Sequence, residues 1–256
     1  MKVPLASAPD LAAVILTKDE ARHIQDCIAS LSWTDEVVVF DAFSEDATVA
    51  LARAAGAQVI QHPFQNYAQQ RNAALEMVEA RWIFFVDADE RATPALAQEV
   101  RQAIHRTDVD GWWVPRHNYI FGRLTLGGGW WPDYQMRLLR RGKARYEREV
   151  HEIVVLEGQA GYLQNPLIHY NYDSVAHFHA KQDRYTDYDA QVLYRQGVRP
   201  RWYTPYTQFL RHLWWRFVTL QGYRDGLHGL RLGLLTAWWE REKYRRLRQL
   251  WEHPAH

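Results

Sequence analysis

Apolar residues follow two different rhythms along the first hundred positions. Short runs fill residues 12–16, 36–40, 58–60 and 82–86, the last reading Trp82-Ile83-Phe84-Phe85-Val86. Between them the apolar positions fall three or four apart. Ile24, Cys27, Ile28 and Leu31 mark a helix over residues 19–31, and further helical segments follow at 46–55, 67–79 and 93–104. Short runs fit strands buried on both faces, and the wider spacing fits helices that turn one face to a core. Gly56 stops the second helix, while Thr93 followed by Pro94 is a start signal: a hydroxyl cap and a preset φ. Strand and helix in repeated alternation predict a parallel sheet covered by helices.

The rhythm changes after about residue 110. Strands are predicted at 111–116, 134–140, 143–147, 150–156 and 162–170, with Gly127-Gly128-Gly129 as a turn between the first two. From Ser174 the chain reads as helical. Phe209, Leu210, Leu213, Trp214, Phe217 and Leu220 form one stripe, and Leu227, Leu230, Leu234 and Trp238 a second. The expected organisation is an α/β domain over residues 1–173, with halves meeting near residue 110, and a helical, amphipathic appendage over 174–256.

Charge sharpens that division. Residues 1–175 carry 17 Lys/Arg and 23 Asp/Glu, a net of −6; residues 176–256 carry 14 and 7, a net of +7. Trp202, Trp214, Trp215, Trp238, Trp239 and Trp251 are half the tryptophans of the chain. Arginine mixed with aromatic rings predicts helices that lie on an anionic membrane surface, or that pack on the α/β domain or a second copy. No nucleic-acid motif accompanies them. No apolar stretch approaches a membrane span, no signal-peptide pattern opens the chain, and a lone Cys27 makes neither an internal disulfide nor a zinc cluster. The expectation is a cytoplasmic protein, peripheral on the inner face of the cytoplasmic membrane.

In an open parallel sheet, ligands bind beyond the carboxyl ends of the strands. Three predicted strands end in acidic clusters: Thr17-Lys18-Asp19-Glu20, then Asp41 with Ser44-Glu45-Asp46, then Asp87-Ala88-Asp89-Glu90. Crowded carboxylates repel one another unless a cation intervenes. A divalent ion such as Mg²⁺ or Mn²⁺, taking one or two carboxylates and filling its shell with phosphate and water, answers that need. Arg71, early in its predicted helix, can bring a planar fork to diphosphate oxygens.

The series Ile15-Leu16-Thr17-Lys18-Asp19-Glu20, Asp35-Glu36-Val37-Val38-Val39-Phe40-Asp41, Gln70-Arg71-Asn72-Ala73-Ala74-Leu75 and Phe85-Val86-Asp87-Ala88-Asp89-Glu90 resembles the family 2 glycosyltransferases of GT-A fold. Within that family it is most similar to the lipopolysaccharide core β-1,4-glucosyltransferases and their relatives. The resemblance implies a UDP-sugar donor whose base and ribose meet Thr17, Glu20 and Asp41. It puts Arg71 at the diphosphate, Asp87 near the ribose and Asp89 on the metal. One stretch departs from it: where relatives carry Ser-Gly-Ser-Thr-Asp-x-Thr, this chain has Ala42-Phe43-Ser44-Glu45-Asp46-Ala47-Thr48, with Phe43 in the place of Gly.

Inversion at the sugar carbon needs a base for the acceptor hydroxyl. Two carboxylates compete, Asp133 and Glu152, and the resemblance favours the pair His151-Glu152. His169 is a candidate further metal ligand, and Gln135 and Arg137 are candidates to position phosphate or acceptor. The acceptor class implied is a glycan or glycolipid, the lipopolysaccharide core first. A polyprenyl-phosphate transferase, a nucleotidyltransferase and a non-catalytic glycan-binding protein are the rival readings; a homo-oligomer is compatible with each. Nucleotidyltransferases open with a glycine-rich loop that Thr17-Lys18-Asp19-Glu20 does not provide.

Overall fold

A computed structural model describes residues 8–147 and 153–253. It divides into two compact units, one running to Arg116 and including Tyr134–His169, the other formed by His117–Asp133 and the chain from Tyr170 onward.

The first unit is built on β1 (Leu11–Thr17), β2 (Glu36–Asp41), β3 (Gln58–Gln61) and β4 (Trp82–Asp87). β1 lies between β2 and β4 and runs parallel to both, and β3 adds in parallel to β2. The apolar runs are unbroken because both faces are covered. Leu11, Ala13 and Ile15 join Trp82, Phe84 and Val86 on one side; Ala12 and Val14 join Ile83 and Phe85 on the other. The first face packs on α1 (Ile24–Ser30), α2 (Thr48–Ala54) and α4 (Pro94–Ala103), through Ile24, Cys27, Ala52, Leu96 and Val100. The second packs on α3 (Tyr67–Met77) through Ala68, Ala74 and Leu75. Full burial of one such side chain stabilises the fold by about 1.5–3 kcal/mol. Thr93 caps α4 as expected, accepting from the Leu96 amide at 3.1 Å.

Beyond β4 the sheet turns antiparallel. β8 (Asp133–Arg140) pairs with β4, followed in order by β6 (Gly111–Ile120), β12 (Leu167–Tyr172) and β5 (Glu90–Ala92). β11 (Ala160–Tyr162) joins β6 in parallel, and β9 (Ala144–Glu147) pairs with β10 (Ile153–Leu156) as a separate hairpin. The single strand predicted over 162–170 is two. The break falls at Gln164 and Asn165, whose amides both donate to the Glu99 carboxylate at 2.8 Å instead of to a neighbouring strand. The start of the strand predicted over 150–156 lies outside the described residues.

In the second unit the end of β6 turns into β7 (Arg123–Leu124) through Phe121 and Gly122, both with positive φ, the geometry of a two-residue hairpin turn. Three helices follow: α5 (Val175–Arg195), capped by Ser174; α6 (Thr204–Trp214), continued by a π-helical turn, Trp215–Thr219; and α7 (Gly226–Glu252). Ile120, Tyr172, Phe178, Leu232 and Trp239 make its core. The glycine turn is a packing surface as well. A Cβ on Gly127 would strike the Gln221 carbonyl, and the Asp225 carboxylate accepts from the Leu126 and Gly127 amides at 3.2 and 2.7 Å. Among the described residues no helix is long and apolar enough to cross a membrane.

Candidate active site

Register brings the strand-end residues together. Thr17 lies opposite Asp41, and Leu16 lies opposite Asp87, so the carboxyl ends of β1, β2 and β4 form one rim. Asp41 is fully buried there. Its carboxylate accepts from the Thr17 hydroxyl at 3.1 Å, the Ser44 amide at 2.9 Å, the Ser44 hydroxyl at 2.5 Å and the Gln61 amide group at 3.1 Å. Burial opposes its ionisation, but these bonds outweigh that and hold the carboxyl below the usual range. Ser44 Oγ also accepts from the Asp19 amide at 2.8 Å, and Lys18 Nζ donates to the Phe43 carbonyl at 2.7 Å, so the loops after β1 and β2 are laced together. Phe43 stands at φ 56°, a conformation natural to glycine, with its ring half exposed. Glu20 anchors the next turn: its amide donates to Thr48 Oγ1 at 2.8 Å and its carbonyl accepts the amides of His23 and Ile24.

The two carboxylates of Asp87-Ala88-Asp89 meet different partners. Asp87 is clamped by arginines. Arg137 reaches both of its oxygens, Oδ1 at 3.1 Å, and Arg71 Nη2 lies 3.3 Å from Oδ1. Burial disfavours its charge, yet Arg137 first and Arg71 second hold this carboxyl well below the ordinary value. Arg71 itself sits against the rings of Phe85 and Tyr146, 5.3 and 5.5 Å from their centroids. Its neighbour Asn72 exchanges two hydrogen bonds with the Tyr146 backbone, at 2.8 and 2.9 Å, and so fixes α3 to β9. Asp89 instead faces His169, with Oδ2 3.4 Å from Nε2. That approach comes from β5, which pairs antiparallel with β12 and sets Glu90 opposite His169.

Glu90, which the sequence placed in the acidic cluster without a role of its own, holds the turn that carries the two aspartates. Fully buried, it accepts from the Asp87 amide at 2.9 Å, from Arg137 at 2.8 Å and from Arg116 at 3.1 Å. Arg91 closes the outside of the same turn, donating to the carbonyls of Ala88 and Glu90 at 2.7 Å and of His23 at 3.1 Å. The signal available in the sequence was Glu90 directly after the acidic pair; the arginines that meet it lie 26 and 47 positions away.

Among the described residues no group of three or more His, Cys, Asp or Glu is arranged to hold a metal. Asp89 and His169 alone offer one carboxylate oxygen and one imidazole nitrogen. That set fits an ion such as Mg²⁺ or Mn²⁺ arriving with a diphosphate, which asks the protein for one or two ligands; a closed structural site would ask for four. Asp87, already neutralised by two guanidinium groups, is the poorer ligand.

Of the two candidate bases, Asp133 belongs to the second unit. Its carboxylate accepts from Asn118 Nδ2 at 3.0 Å; Asn118 is fully buried and its Oδ1 accepts in turn from Asn171 at 3.2 Å. Asn118 is a further residue that sequence reasoning missed. Glu152, with His151, lies outside the described residues.

Comparison with known proteins identifies the family. Residues 12–168 match the profile of Glycosyl transferase family 2. A lipopolysaccharide core biosynthesis glycosyltransferase of Rhizobium meliloti is 32% identical over 249 residues, spanning 89% of this chain and 90% of the relative. An uncharacterized glycosyltransferase of Rickettsia bellii is 27% identical over 81% of this chain and 74% of its own length. A glucosyl-3-phosphoglycerate synthase of Mycobacterium tuberculosis, solved with Mn²⁺, UDP and glucosyl-3-phosphoglycerate, superposes with a TM-score of 0.49 at 17% identity, covering 75% of this chain and 81% of that one. On the profile match and the Rhizobium relative, the chain belongs to glycosyl transferase family 2, with its mostly parallel GT-A sheet, and is a glycosyltransferase.

Proposed function

We propose that the protein is an inverting, metal-dependent hexosyltransferase that moves glucose or a similar hexose from a UDP-sugar to the lipopolysaccharide core. The contrast between Asp87 and Asp89 is the observation that carries this reading. Arg137 and Arg71 fix Asp87 as a charged, immobile acceptor suited to ribose hydroxyls, while Asp89 and His169 stand together as a carboxylate and imidazole pair suited to the ion. When bound there, the metal supplies Lewis-acid neutralisation of the departing diphosphate. Thr17, Glu20 and Asp41 line the rim for base and ribose, and Asp41 gives up one of its four internal donors when it binds the nucleotide. Arg71 adds positive charge for the diphosphate. The acceptor proton goes to a carboxylate, Glu152 or Asp133, with Asn118 aiming the latter. The Rhizobium relative, named for core biosynthesis, supports the acceptor class. The protein works at the inner face of the cytoplasmic membrane, a placement supported by the exposed rings of Trp202, Trp214 and Trp238 on a basic helical unit.

Asp89→Asn tests the reading. It should keep the thermal melt, lose Mn²⁺ affinity in the presence of UDP, and lower transfer by about a hundredfold or more. Full activity of that variant, or undiminished wild-type activity in excess EDTA, would overturn the metal assignment. For the base, Glu152→Gln should retain UDP binding and lose turnover; the same pattern in Asp133→Asn alone would assign the role to Asp133.

A further inference from the structure

The cleft between α6 and α7 holds a cavity of about 200 Å³, lined chiefly by Trp202, Pro205, Tyr206, Arg241, Arg245 and Arg248. Two of its arginines are balanced within their own helix. Arg245 donates to Glu242 at 2.8 Å, and Arg248 to Glu252, a carboxylate also lining the cavity, at 2.6 Å. Arg241 differs. Among the described residues it has no ion pair; its guanidinium lies 5.5 Å from the Tyr206 ring centroid and 4.8 Å from that of Trp238. Rings on both contacts hold the planar fork in place, so little side-chain freedom is left to lose when an anion arrives. The cavity thus offers a fixed, uncompensated cation suited to bidentate contact with phosphate oxygens.

The surroundings say which kind of phosphate. Tyr206, Leu210 and Trp214 follow one another at intervals of four, a single ridge along α6, with Trp202 in the turn just before the helix, and each of the four is more than half exposed. Leu210 and Trp214 stand 65% and 66% exposed, so the ridge leads away from the cavity with its apolar side uncovered. A soluble phosphate uses the arginine and leaves the ridge in water. A lipid uses both, its headgroup in the cavity and the ridge beside it among the acyl chains. We propose that this cleft is a headgroup site for a phosphate-bearing membrane lipid, an inference that rests on the membrane-surface placement above and is independent of the transfer chemistry.

Vesicle co-sedimentation of the full chain decides it, with phosphatidylcholine vesicles compared against phosphatidylcholine containing phosphatidylglycerol. The wild type should prefer the anionic vesicles, and Arg241→Gln should weaken that partition about fivefold, the equivalent of about 1 kcal/mol for one basic residue at a lipid surface. Arg224→Gln, which removes an exposed arginine of the same unit outside the cavity, should cost less than half as much. Leu210→Ser with Trp214→Ser, both on the exposed ridge, should abolish the binding that survives high salt while leaving the thermal melt in place. Equal losses for Arg241→Gln and Arg224→Gln would mean diffuse charge and overturn the headgroup site while leaving membrane binding intact. Release of the wild type by inorganic phosphate at constant ionic strength would reassign the cavity to a soluble phosphate. Failure of the wild type to bind any vesicle, or a concentration-dependent dimer abolished by the ridge variant, would overturn the placement as well as the site.

Discussion

Replacing Arg137 by methionine is the most informative single change to the charged interior of the first unit. Methionine is unbranched and replaces the aliphatic stem, so the change chiefly removes the charge and the donors of the guanidinium. Arg137 is 4% exposed and serves two carboxylates, Asp87 at both oxygens and Glu90 at 2.8 Å. Removing one partner of a buried ion pair costs about 3–5 kcal/mol, because the other charge stays behind. Here each acid keeps one arginine: Asp87 keeps Arg71 at 3.3 Å, and Glu90 keeps Arg116 at 3.1 Å. The lower end of the range therefore applies, about 3 kcal/mol, a large part of a typical 5–15 kcal/mol stability. Urea unfolding followed by tryptophan fluorescence and by far-UV circular dichroism measures it, and agreement of the two probes guards against separate unfolding of the two units. The loss should shrink as pH falls below about 4, where the unfolded carboxylates begin to take up protons. Asp87, no longer held down by its strongest partner, takes up a proton in the folded variant at a higher pH than in the wild type, and proton uptake by the native state favours folding in acid. Glu90→Gln in the Arg137→Met background should recover about 1 kcal/mol or more by removing one of the stranded charges. A loss below about 1 kcal/mol, or no recovery in the double variant, would refute the clamp as described.

Phe43→Gly should stabilise the fold by about 0.5–1 kcal/mol, since relief of the left-handed φ of 56° exceeds the added freedom of the unfolded chain; a lower melting temperature would contradict this. Gly229→Ala should destabilise by about 2 kcal/mol in urea titration, because the new methyl meets the Gly222 carbonyl and lies 3.2 Å from Asp225 Cβ, which outweighs the gain of about 1 kcal/mol that alanine brings to a helix. Burial, with Arg216 as the next cause, lowers the His212 pKa from 6.5 to about 4. Between those values the unfolded chain binds the proton that the folded one refuses, so stability falls as pH drops through that window, by about 3 kcal/mol at most. His212→Gln should flatten that part of the pH–stability curve, and an unchanged curve would place the acid sensitivity elsewhere.

What could be read from the sequence was whatever local pattern encodes. Ala12 to Leu16 and Trp82 to Val86 announced central strands because burial on both faces leaves no room for polar residues. Thr93-Pro94 and Ser174 announced helix starts that the caps bear out. Asp87 and Asp89 were legible as a strand-end pair, and the resemblance assigned them separate roles, but the difference in their surroundings was not legible. It depends on Arg137, fifty positions from Asp87, and on a three-residue strand, Glu90–Ala92, too short to leave a periodic signal. Asn118 and Arg116 hide for a related reason: both sit in β6, where alternation marks the face a residue takes and not the partner it meets. Gly127 looked like a turn residue from its neighbours; its contact with Gln221 and Gly222 is a long-range fact.

That last contact also sets a timetable for synthesis. The segment His117–Asp133 folds with residues that follow Tyr170, and the bonds from Leu126 and Gly127 to Asp225 span 99 and 98 positions. At about 5–20 residues per second, a ribosome takes roughly 5–20 s to deliver Asp225 after Gly127 has emerged. During that interval Trp130 waits without Arg216, and Thr125 without His228. The nascent chain therefore holds a finished first stretch of parallel sheet and an unpaired, tryptophan-bearing segment at the same moment. That segment is where a chaperone would be expected to sit until the last helix arrives.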